Sequence, residues 1–402
     1  MLLTIIGVAS LLAIRTERHT AESAADAVEA RLYAQSGIEL GLLWISRETD
    51  WRTERGEGSW AVEQKLGDGT FSLKVNDLGS SKDLGSSSPG DPVLITSTGR
   101  KNAARHITQV RLTSPGGGEP LTGLEVALQT GTDMAFWSSI VRCDQIIGAN
   151  GNIEASGAAI QPRVEAAGII SGGTYFGETA EGIVPRTMPT NTVFDYYLLN
   201  GTDIKYDALP KVDGTASIQD VVLSPDHNPY GAANPRGIYV VACGGNQIHV
   251  QYSRIVGTLL LLAPHRSSTI DHSVTWEPAA ANQPALLIDG SMEIRFVTDD
   301  LSEAARGVNF NPVGTPYQGA EDSDTNDVYP SRIKGLVYAS GDLMLYSHPT
   351  IDGVLLVGNK IDVYGDLDLT HESTFLENPP PGFGTPSGDL EILAGSWRQV
   401  VD

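Results

Sequence analysis

The amino-acid sequence predicts a mainly β protein headed by one long α-helix and continued, after a short antiparallel region, as a right-handed parallel β-helix. Three observations carry this. Residues 1–50 hold no proline and, after Gly7, no glycine except Gly37 and Gly41, and apolar residues recur there at helical spacing. The segments "FSLKV", "PVLITSTG" and "HITQVRL" alternate apolar and polar residues as half-buried strands do. Beyond residue 120, short apolar runs with glycine at their corners return every 18 to 20 residues, as from Gly237 to Gly257 and from Gly335 to Gly353.

The composition narrows the function classes before any motif is read. A chain of 402 residues with 41% hydrophobic content can bury real cores in two or three domains. Its 49 acidic against 27 basic residues give a net charge of −22, a field that repels phosphate backbones and anionic headgroups, so no nucleic-acid partner is expected. The two cysteines, Cys143 and Cys243, are too few for a structural zinc site. They could form one disulfide in an oxidising compartment or remain two buried thiols.

The first element is the helix. Residues 1–14, "MLLTIIGVASLLAI", carry no charge but fall short of the roughly 20 residues that span a hydrocarbon core, and no basic segment precedes them. The expectation is the second half of an inner-membrane helix whose first residues precede Met1. The alternative is a signal anchor followed by an unrelated amphipathic helix. From Arg15 the pattern continues through Ala21, Ala25, Val28, Leu32, Ile38, Leu42 and Ile45 at spacings of three, four and occasionally six. A helix of about 45 residues would reach roughly 68 Å.

Residues 30–45, "ARLYAQSGIELGLLWI", resemble the end of the N-terminal helix in PilX-type pilus assembly proteins and K-type minor pseudopilins of type II secretion. Ala34, Ser36, Gly37, Ile38 and Glu39 stand at matching positions. The resemblance continues through "GDGTFSLKVNDLG" and "DPVLITSTGRKNAARHITQVRLT" to about residue 113. It implies a pilin-like helix packed on antiparallel strands, with Val28, Leu32, Gly37, Ile38, Glu39 and Leu42 joining other pilin-like subunits. Glu39 would pair with a neighbour's cation, cap the last turn or stay solvated. Most pilins carry a glutamate at the fifth mature position beside a prepilin peptidase site; here the first acid is Glu17, outside the apolar run. The K-type proteins lack that glutamate too.

A boundary follows at residues 113–120, "TSPGGGEP", where proline and three glycines break regular structure. The body is expected over residues 121–378, interrupted by insertions near 187–235, with a short helix around 193–199, and near 299–330. A β-sandwich of regular hairpins is the alternative, weakened by the scarcity of Asn-Gly and Asp-Gly turns. The prolines Pro379, Pro380 and Pro381 are expected to stop the stack, and "LEILAGSWRQVVD" to close it, over residues 379–402. Its "GSW" followed by a basic residue also resembles the end of some PilX-like chains.

The search for chemistry returns little. Residues 331–335, "SRIKG", resemble the substrate-binding stretch of polygalacturonase-type glycosidases, and Asp299 and Asp300 form an acid pair, but no Gly-His-Gly accompanies them. Asp322, Asp324, Asn326 and Asp327 are oxygen donors at spacings that suit a calcium ion, although the loop departs from an EF-hand at its sixth and twelfth positions. The histidines are scattered, and no nucleophile elbow, dinucleotide fingerprint or phosphate loop occurs. The sequence therefore reads as a non-enzymatic structural protein of the bacterial cell envelope, with calcium as the one conceivable cofactor. Two alternatives remain: a membrane-anchored β-helix that binds or cleaves polysaccharide, and a self-associating adhesin or scaffold.

Overall fold

The computed structural model describes residues 2–48, 50–78, 83–86, 91–113, 119–385, 390–393 and 395–400, with side chains from residue 14 onward. The chain forms two compact units: Met1–Pro115 together with Pro386–Asp402, and Gly116–Thr385 between them in sequence. It is mainly β, with a long N-terminal helix, antiparallel strands in the first unit and mostly parallel strands in the second.

In the first unit an unbroken helix runs over Leu2–Arg47. Strands β1 (Gly58–Leu66), β2 (Gly69–Asp77), β3 (Val93–Lys101) and β4 (Ala104–Thr113) pair antiparallel in chain order. Alternation puts Phe71, Leu73, Val75, Val93, Ile95, Val110 and Leu112 on one face, where they pack with Ile38 and Trp51. Two glycines set how closely helix and sheet approach. A Cβ on Gly99 would lie 2.0 Å from the Ala30 carbonyl oxygen and 2.5 Å from the Ala34 nitrogen; one on Gly37 would lie 2.2 Å from Ser97 Oγ.

The β3–β4 turn latches the same helix. Asn102, at φ 49°, donates to both carboxylate oxygens of Asp26 at 3.1 and 2.9 Å, and Lys101 Nζ lies 2.9 Å from Glu29. Before that latch, residues 14–25 are exposed on every side. At the other end Arg55 packs over Trp44 at 4.0 Å and grips Glu48 with two hydrogen bonds, which hold the Glu48 carboxyl below its usual range.

The C-terminal strands Glu391–Ile392 and Arg398–Val400 pair antiparallel with β4. The run expected to close the β-helical stack thus extends the first unit's sheet. Residue 113 leaves β4 with one edge open, and the returning chain fills it.

The second unit is a ladder of parallel strands wound in stacked layers. On one face ten strands follow in the spatial order Thr202–Asp203, Ile238–Ala242, Thr258–Leu262, Leu286–Asp289, Arg332–Ala339, Thr350–Val357, Leu128–Thr130, Ile147–Ala149, Val164–Ala166 and Thr179–Glu181. The chain enters mid-stack, runs to one end at residue 181, returns alongside, restarts at the far end at residue 202 and winds back to meet its own first layer. The ladder is therefore continuous: of the insertion expected over 187–235, the short helix is present at Asp195–Asn200 and residues 224–235 lie outside the ladder, but Thr202–Asp203, Thr215–Gln219 and Val222–Leu223 belong to it. Val193, Phe194 and Tyr197 cover outward apolar residues of the ladder, among them Val240, Leu260, Leu336 and Leu356. That cover explains why these strands read as unbroken apolar runs: both faces are buried.

The prolines at 379–381 do not stop the stack either. They carry the chain out beside its own way in, where Leu121 N–H donates to Phe383 O at 3.1 Å and Thr385 N–H to Glu119 O at 2.7 Å. The insertion at 299–330 does leave the ladder, and two buried polar side chains help to hold it. Glu303, fully buried, accepts from Phe310 N–H at 2.5 Å, Asp327 N–H at 3.0 Å and Tyr329 O–H at 2.8 Å. Arg254 donates to the carbonyl oxygens of Phe310, Thr315 and Pro316 at 2.6 to 2.8 Å.

Candidate assembly surface

The helix presents two apolar stripes, not one. At 100° per residue, Ala30, Ala34, Gly37, Ile38 and Gly41 cluster on one side, and all are buried against β2–β4. Ile14, Ala21, Ala25, Val28, Leu32, Glu39 and Leu43 fall within about 60° of one another on the opposite side, and all are exposed. Val28 and Leu32 are 52% and 49% exposed. Of the residues predicted to serve assembly, Val28, Leu32 and Glu39 therefore lie on the outer stripe. Gly37 and Ile38 are consumed by packing within the unit, and Leu42, half-buried, flanks the same core. The correction has a simple cause: the six-residue step from Leu32 to Ile38 turns through about 240°, from the outer stripe to the inner.

Glu39 is a lone carboxylate in an apolar stripe and makes no described hydrogen bond or ion pair within the chain. Among the described residues no helix is long and apolar enough to cross a membrane.

The remaining candidates are all in the second unit. Asp322, Asp324 and Asp327 do not converge. Asp322 Oδ1 accepts from the Asp324 N–H at 3.2 Å, Asp324 Oδ1 from the Asn326 N–H at 3.0 Å, and Asp327 Oδ2 from Asn311 Nδ2 at 2.9 Å. Asp322 and Asp324 close successive turns while Asp327 holds the Asn311 side chain, and among the described residues no group of three or more His, Cys, Asp or Glu side chains is arranged to hold a metal. The calcium reading is thereby corrected.

Arg332 is tied to Asp352 at 2.8 Å beside an open depression of about 330 Å³ lined by Lys334, Thr370, His371 and Glu372; Asp299 and Asp300 are not among its lining residues. An aromatic column that no local pattern announced stands at one corner of the ladder. Tyr346 and Tyr364 stack at 4.9 Å, Tyr364 and Trp137 at 6.3 Å, and Arg295 caps Tyr346 at 4.8 Å.

Cys143 and Cys243 are free thiols, so the disulfide is not formed. Five ladder steps separate the layers that carry them. At about 4.8 Å per step that is roughly 24 Å, far beyond the reach of a disulfide. Burial pushes Cys143 up to about 11 and Cys243 up to about 12, so thiolate is scarce at neutral pH. Iodoacetamide at pH 7.5 is expected to label neither in the folded chain and both after denaturation, as read by intact mass. Rapid native labelling would contradict this placement.

No family model and no curated protein sequence matches the chain. Among solved structures, the competence-associated pilin ComZ from Thermus thermophilus is similar to it at 10% identity and a TM-score of 0.28, covering 94% of this chain and 98% of that one. So loose a likeness fixes no shared fold.

Proposed function

We propose that this chain is a non-enzymatic structural subunit of a pilus- or pseudopilus-like assembly in the bacterial cell envelope, joined to its neighbours through the outer stripe of the stem helix. In this reading the uncharged residues 1–14 lead the stem toward the inner membrane, and the second unit is a right-handed β-helix displayed by the assembly. Its handedness follows from the strong preference of parallel crossovers for the right-handed sense.

What carries the reading is the division of the helix into two faces. A helix that only packed on its own sheet would be apolar on one side and polar opposite. Here the buried side is built of small residues that let the sheet come close, while Val28 and Leu32 point away with no cover. Burying one such side chain contributes about 1.5–3 kcal/mol, so a repeating contact along the stripe could hold subunits together. Glu39, set in that stripe, would then meet a cation or an N–H of the neighbour.

The test is Val28→Asp combined with Leu32→Asp in the cells that make the protein. Both sites are exposed, so the unfolding free energy of the purified chain is expected to stay within about 0.5 kcal/mol of the original. Recovery in sheared surface filaments should fall at least tenfold. A wild-type chain absent from filaments, or a double variant that enters them normally, would sink the reading.

A further inference from the structure

The parallel stack is sealed at one end and open at the other. At the sealed end the chain lays Ile204 and Leu209, both buried, and Tyr206 against the core residues Ala216 and Ile218, and Lys211–Val212 folds back antiparallel on Thr215–Gln219. At the other end the last layer, Ile170–Tyr175 and Thr179–Glu181, pairs on one side only, with Ile153–Ile160 and Val164–Ala166. Its core side chains Ile170 and Tyr175 are only partly covered, and Ile169, Phe176 and Val184 are 63%, 71% and 86% exposed.

The sequence of this edge lacks the usual protection. Residues 167–177, "AGIISGGTYFG", contain no charge and no proline, in a chain whose net charge is −22. A bulge between Gly172 and Thr174 bends the strand, and Glu181 accepts the Ile170 N–H at 2.6 Å, but among the described residues no further strand pairs with the layer. Stacked-layer proteins need polar terminal caps to stay soluble, and edge strands are normally blunted by charge, proline or cover. The opposite end of this same stack meets that need.

We propose that the open layer is a homodimer interface, at which two copies join open end to open end through their Ile170–Tyr175 and Thr179–Glu181 edges. The occupant is a second copy for two reasons on the page. At the other end Lys211–Val212 already pairs with Thr215–Gln219 and the core is covered, so the proposed association uses the same patch on both partners, which is isologous and stops at two. The patch's longer strand lies in the charge-free run 167–177, Glu178 is paired with Arg163 at 3.3 Å and Glu181 accepts the Ile170 N–H, which limits the like charge that two strongly acidic chains would oppose there. This inference concerns the second unit and stands apart from the role of the stem.

The experiment uses the full chain in mild detergent, with mass measured by light scattering. A dimer is expected for the wild type and for Val28→Asp with Leu32→Asp. Ser171→Asp with Thr174→Asp places like charges across the pair and should raise the dissociation constant at least tenfold. Mixing that variant with Ser171→Lys, Thr174→Lys should restore the dimer. A wild type that stays monomeric at about 100 μM would overturn the proposal, as would a dimer indifferent to the edge charges or lost only with the stem substitutions. Should the charged variants fail to fold, hydrogen exchange on the unaltered chain decides. Amides of 170–175 that slow on concentration support the interface, and rates independent of concentration remove it.

Discussion

Gly99→Ala should separate the stem helix from its sheet and cost about 3 kcal/mol, the upper range of overpacking. The added methyl would meet the backbone of Ala30 and Ala34 at 2.0 and 2.5 Å, and backbone cannot rotate away as a flexible side chain can. Gly37→Ala asks for a similar shift, since its Cβ would meet Ser97 Oγ at 2.2 Å and Phe71 Cδ2 at 2.9 Å. Gly85→Ala is the control, because its nearest neighbour is Asp83 Oδ1 at 3.8 Å. Thermal unfolding followed by circular dichroism, with limited proteolysis across residues 50–113, reads the effect. If Gly99→Ala melts like Gly85→Ala, the close approach described here is wrong.

The second large effect belongs to Glu303. Replacing it with alanine leaves the buried Phe310 N–H, the partly buried Asp327 N–H and the Tyr329 hydroxyl without their acceptor, with Arg254 and the Arg306–Asp220 pair still holding the insertion. Each buried donor left without a partner costs about 1–3 kcal/mol, so a loss of about 3 kcal/mol is expected. Tyr329→Phe, which removes one donor to the same carboxylate, should cost about 1 kcal/mol. New protease cuts within residues 304–328 and a lower denaturant midpoint are the expected signs for Glu303→Ala. An unchanged midpoint and no new cuts would mean that the loop is held by its apolar contacts among Leu301, Phe310 and Tyr329.

Local patterns carried much of the architecture. The helix was legible because nothing in residues 8–36 breaks it, and β2 to β4 because their alternation matches a sheet with one covered face. The glycine repeats turned out to mark single layers: Gly257 and Gly353 sit where a Cβ would lie 2.1 Å from the carbonyl oxygens of Gly237 and Gly335, directly below them in the stack. What could not be read was the order of the layers. Every layer offers the same parallel edge, so nothing local tells Val357 that its neighbour is Thr130. The return of residues 391–400 to β4 was hidden for the same reason.

The candidate surface was half legible. Helical spacing identified Val28 and Leu32, but it gave Gly37 and Ile38 the same role because a one-dimensional pattern does not say which stripe faces the sheet. The acids at 322–327 looked convergent because spacing ignores the backbone N–H groups that compete for their oxygens. The uncapped layer at 170–181 carries a sequence signal, a charge-free run in an acidic chain, whose meaning depends on knowing that the layer is terminal.

The rejoining of the stack in its middle has a consequence for how the protein is made. The layers spanning residues 128–181 leave the ribosome first, yet the strands on which they rest come much later: Thr132 and its partner Asn359 are 227 residues apart. At typical synthesis rates that interval is roughly 10 to 45 s. Throughout it, the nascent first layers expose an apolar underside and an unsatisfied edge at Leu128–Thr130, and closing that seam is a late, long-range step of high contact order. Chaperone dependence during translation, and aggregation of chains truncated before residue 350, follow from the order of winding alone.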